Sequence, residues 1–83
     1  MMEMDFFVGT ALDDMEIAFK WAKLFKESEG KSTLHRLILA GEYAGSAGSA
    51  IYEAKERVAS EEWEIWREIY LDFRADLNDY IEK

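Results

Sequence analysis

The chain contains no cysteine, which excludes disulfides and thiolate metal sites. It contains a single histidine, His35, which excludes a histidine-rich metal site. No Glu-x-x-His step is present, so a di-iron bundle is disfavoured as well. Proline is absent and β-branched residues are few, and no stretch of useful length alternates in the manner of a strand. Basic residues are scarce. Ten Lys and Arg stand against eighteen Asp and Glu, for a net charge of −8. Binding to nucleic acid through phosphates needs clustered base, and so does docking on anionic lipid. No apolar run approaches the ~18 residues a membrane span requires. The opening Met1-Met2-Glu3-Met4-Asp5 has acids where a secretion signal has base. The expectation is a cytoplasmic protein with no membrane contact, no direct nucleic-acid contact, no metal and no cofactor.

What is present is helical and aromatic. The 83 residues make one domain (1–83) with three Trp, five Phe and four Tyr to build a core. A chain of this size buries only ~60–65% of the surface it exposes when unfolded. Self-association is a common remedy for small domains. The periodicity predicts an all-α, three-helix bundle with an N-terminal arm at 1–9 and helices at about 10–29, 33–59 and 61–82. The apolar surplus predicts a self-associating one.

The third helix is the clearest. Trp63, Trp66, Tyr70, Phe73, Leu77 and Tyr80 recur at steps of three and four, as an inner seam requires. Ser60 is its expected N-cap, with Glu61 and Glu62 in the first turn. The second helix, starting at Ser32 or Thr33, holds three glycines in its middle. Gly41, Ala44, Gly45 and Gly48 nevertheless keep the register of Leu34, Leu37, Ile51 and Tyr52. That pattern predicts a long helix, continuous or bent, in preference to a break at Ser46–Ser49. Small residues between large ones describe a groove for a crossing helix, within the monomer or across a dimer. The first helix is expected to start at the N-cap Thr10 and stop before Gly30. In the arm, Phe6, Phe7 and Val8 are apolar enough to cover one end of the bundle. Leu12, Met15, Phe19 and Ala22 give the first helix one apolar side, and Ile17, Trp21, Leu24 and Phe25 give it another. Together with Ile65 and Ile69, this second side exceeds what one neighbouring helix covers, and it is the expected homodimer interface.

Opposite the seam, Glu61, Glu64, Glu68, Asp72, Asp76 and Asp79 line the other face of the third helix. Glu64, Glu68, Asp72 and Asp76 stand four apart, about 6 Å along the axis. Each such like-charge pair costs a helix ~0.2–0.5 kcal/mol. A row of negative charge at this spacing roughly imitates phosphates along one nucleic-acid strand. Small helical proteins of phages and mobile elements use surfaces of this kind to occupy basic grooves of nucleases and repair enzymes. The likeness is one of charge layout. The reading is a non-enzymatic, acidic interaction protein, an inhibitor whose protein partner has a basic surface. The alternative is a homo-oligomeric assembly module whose acidic face only keeps it soluble. Glu53 with Glu56, and Asp76 with Asp79, resemble the carboxylate pairs that hold Mg²⁺ in helical nucleotide pyrophosphohydrolases. In so acidic a chain such pairs arise by chance. No nucleophile–base pair is recognisable, and no catalytic residue is assigned.

Overall fold

The structure, a computed structural model, describes residues 5–27 and 33–83. Three helices make up the fold: α1 (Phe6–Glu27), α2 (Thr33–Ala54) and α3 (Ser60–Glu82). No strand occurs among the described residues. Met1–Met4 of the expected arm, the helix stop at Gly30 and the alternative start at Ser32 lie outside them. The molecule is a short rod, 45 × 21 × 20 Å, with a Cα radius of gyration of 14.0 Å.

The first helix starts at Phe6 rather than Thr10, so residues 6–9 are helix and not arm. Asp5 is the cap. Its Oδ1 accepts from the backbone N–H of Phe7 (2.9 Å) and of Val8 (3.3 Å), two donors that have no partner inside the helix. Capping at Asp5 turns Val8 inward, where it is fully buried, while Phe6 remains exposed. Asp13 and Asp14 accordingly lie beyond the first turn, away from the helix terminus.

The second helix is continuous across Gly41, Gly45 and Gly48. It ends at Ala54, short of the expected 59. There the chain tightens: Lys55 N–H donates to the Tyr52 carbonyl (3.2 Å), and Arg57 N–H to that of Ala54 (2.9 Å). The early stop lets Arg57 reach back to Asp5, its Nε 2.9 Å from Oδ2, with the guanidinium 5.2 Å from the Phe7 ring centroid. The third helix starts at Ser60, but its N-cap is Ala59, with φ −62° and ψ 148° and no side-chain bond. Ser60 is already inside the helix, so it does not cap.

The helices run up, down and up. α1 and α2 are antiparallel: Ser46 Oγ donates to Asp14 Oδ2 (2.8 Å), and Arg36 Nη1 donates to the Leu24 carbonyl (3.1 Å). Their seam is alanine: Ala11, Ala18 and Ala22 from α1, and Ala40, Ala44, Ala47, Ala50 and Ala54 from α2, all buried. Methyl side chains let the two backbones approach at the short end of the usual ~8–10 Å separation. α3 lies across this pair on aromatic rings. Trp63, Phe73 and Leu77 are buried, and Trp66, Tyr70 and Tyr80 are half-buried against them. The Phe19 ring meets Phe73 edge-on at 5.6 Å and Tyr80 at 5.9 Å. Lys26 Nζ donates to the Tyr80 carbonyl (2.7 Å) and ties the far end of α3 to α1. At the near end, the buried Trp63 indole N–H donates to the Ile51 carbonyl (2.8 Å), in the last turn of α2.

Within the chain, the small-residue groove is filled in one half. Ala44 and Gly48 are buried at the crossing with α3, but Gly41 and Gly45 are exposed, with nothing within 4 Å of where a Cβ would stand. Leu34 and Tyr52 are exposed with them. Ala40, Ala44, Ala47, Ala50 and Ala54 take the interior, because α1 offers a matching row of alanines.

Candidate partner-binding face

A helix one side of which is sealed by Trp63, Phe73 and Leu77 presents its remaining side to water. On α3 that side holds Glu61, Glu64, Glu68, Asp72, Asp76 and Asp79, and all six are exposed. Only Glu64 has a counter-ion among the described residues: its Oε2 lies 3.3 Å from Arg67 Nη1. Arg74 is turned inward, its Nη1 donating to the Tyr70 hydroxyl (3.0 Å). Glu62 lies at the edge of the seam, where its Oε1 accepts from the Trp66 indole (3.3 Å). Glu68, Asp72, Asp76 and Asp79 therefore form an unneutralised row, and a charge held in water without a partner is free to meet one from outside.

Two apolar side chains interrupt the row. Ile65 is 59% exposed and Ile69 39%. They continue into Asp72 and Asp76 at steps of four, three and four, so they share the outer side of α3 with the carboxylates. They were assigned above to a dimer interface together with the second side of α1. Of the α1 members, Ile17, Trp21 and Phe25 are half-buried and Leu24 is exposed, and they lie on a different helix from Ile65 and Ile69. The mixed character of the α3 face is visible in the sequence once the steps from Ile65 to Asp76 are followed.

Other arrangements hold less. Among the described residues no three His, Asp or Glu side chains converge as a metal site would require. His35 is exposed. An open groove of about 290 Å³ runs between α1 and α3, lined by Glu16, Phe19, Lys20, Lys23 and Tyr80. Its one ion pair, Lys20 with Glu16 at 3.8 Å, is a surface contact of small energetic weight. No helix among the described residues is long and apolar enough to cross a membrane. No protein-family model, curated protein or solved structure matches this chain.

Proposed function

We propose that the outer side of α3 binds a protein with a basic surface, occupying a site that would otherwise hold nucleic acid. The chain then acts as a small inhibitor of the kind phages and mobile elements encode. The observation that carries this reading is the row of Glu68, Asp72, Asp76 and Asp79, exposed and without counter-ions among the described residues. Such a row weakens its own helix, and solubility alone is reached as well with mixed charge. Ile65 and Ile69 add what charge alone lacks. An apolar anchor within an acidic field can enter a pocket between basic side chains and lose water there, which gives residence time as well as encounter rate.

The test is direct. The immobilised chain should retain nucleic-acid-binding proteins from a lysate at low salt and release them at moderate salt, and duplex DNA should compete for them. A variant with Glu64→Gln, Glu68→Gln, Asp72→Asn and Asp76→Asn should fold and retain none of them. Equal retention by this variant at both salt levels would overturn the reading. The second reading, an assembly module, is favoured by a separate observation: the interior is largely alanine while Trp21, Tyr43 and Trp66 are only half-buried.

A further inference from the structure

Eight large apolar side chains are exposed among the described residues, and four of them lie on one surface. Leu34, Ile38 and Tyr52 on α2 are 64%, 50% and 60% exposed, and Leu71 on α3 is 48% exposed. At about 100° per residue, Leu34, Ile38, Gly41, Gly45 and Tyr52 fall within about 60° of one another along one edge of α2. The position of α3 beside this edge is set by Tyr70, whose hydroxyl donates to the Ala44 carbonyl (3.4 Å) and lies over Gly48. That contact brings the next residue, Leu71, level with the middle of α2.

We infer that this α2–α3 surface is covered by a second copy of the chain, the two α2 helices crossing antiparallel at Gly41 and Gly45 about a two-fold axis. Three observations select a copy of itself as the occupant. The first is area. The chain exposes 5905 Å². A compact monomer of its mass exposes about 5,100 Å². The surplus of about 800 Å², to which the rod shape contributes, is of the size one partner gives to a standard interface. The second is order. A two-fold contact requires that residue i meet j while j meets i. In an antiparallel pair centred on Tyr43, Leu34 faces Tyr52 of the other copy and Gly41 faces its Gly45. The contact is therefore large at both tips and without Cβ at the crossing, and Ile38 falls opposite Gly48, over which Tyr70 lies. The monomer itself makes no contact that needs glycine at either position, since an added Cβ there would meet open space. The third is charge. The stripe carries none, in a chain of net charge −8. Its α3 rim carries Arg67, which already holds Glu64, the nearest member of the acidic row. Two copies can thus meet here with their acidic rows directed away from the contact. Leu71 falls close to the axis, where it meets its own counterpart.

This contact is independent of the acidic-face reading, and the acidic-row variant should leave it intact. Sedimentation of the full chain between about 1 and 100 µM should show a dimer. Gly45→Leu should weaken association at least ~10-fold by overpacking the crossing. Because Gly45 borders open space in the monomer, helicity and melting in dilute solution should be unchanged or raised, so a loss of association cannot be confused with a loss of fold. With no native cysteine in the chain, Leu71→Cys should oxidise to a covalent dimer, and Ile69→Cys, on the other side of α3, should not. A monomer throughout the range would overturn the inference. So would a dimer indifferent to Gly45→Leu, or cross-linking through Ile69→Cys as fast as through Leu71→Cys.

Discussion

At the scale of single residues, the glycines of α2 divide by what stands opposite them. A Cβ on Gly48 would come within 2.5 Å of the Tyr70 hydroxyl oxygen and 2.8 Å of Cζ. Tyr70 cannot yield freely, since its hydroxyl also receives the Arg74 hydrogen bond. Gly48→Ala should therefore destabilise by ~1–3 kcal/mol, although alanine is the better helix former. Gly45→Ala should instead stabilise the dilute monomer by up to ~1 kcal/mol. Urea unfolding of the two variants side by side checks the contrast, and equal shifts of the same sign would contradict it. In the sequence these glycines look alike. What separates them is the placement of one tyrosine on another helix, and helical period carries no information about that. The same period marks Gly41 and Gly45 for a close helix crossing, and within one chain nothing stands opposite them.

At the scale of elements, the helices were legible and their ends were not. The seam from Trp63 to Tyr80 is written in steps of three and four, and α3 follows it. The continuity of α2 through its glycines was legible for the same reason. The cap of α1 is Asp5, inside the expected arm, and not the expected Thr10. Arg57 pairs with Asp5 from beyond the end of α2. That pairing also sets a pH dependence. The Arg57 hydrogen bond, aided by the Phe7 and Val8 backbone N–H groups, holds the Asp5 carboxyl below the ordinary aspartate range, against the opposing effect of its partial burial. A carboxylate whose pKa is depressed by folding contributes stability above its unfolded value of about 3.9, and the contribution fades as pH falls through the lower folded value. Asp5→Asn keeps the cap and loses the ion pair. Its melting temperature should lie below wild type at neutral pH, and the gap should close as pH falls through the lowered value of Asp5 in the folded state. A gap constant with pH would show that Asp5 acts only as a cap. Of the candidate site, the acidic row was fully legible, because an exposed helical face needs no tertiary information. How Ile65 and Ile69 stand relative to the second side of α1 was not legible, because which surplus apolar stripes adjoin depends on how helices are placed.

At the scale of the whole molecule, composition and architecture pull in different directions. The chain is rich in aromatic side chains, yet its largest fully buried residues are Ile51 and Val8, and its innermost seam is methyl groups. An alanine seam fixes two helices close together while hiding little hydrocarbon for each residue it orders. The heat absorbed per degree on unfolding follows the apolar area released, at roughly 0.45 cal/K/mol for each Å². This domain should therefore show a heat-capacity increment below the usual ~12–15 cal/mol/K per residue, measurable by calorimetry in dilute solution. Its stability curve is then broad and low rather than narrow and tall. A molecule of this kind gives up little of its margin on chilling or on moderate warming, and its fold is set by how closely two backbones can approach more than by how much oil they enclose.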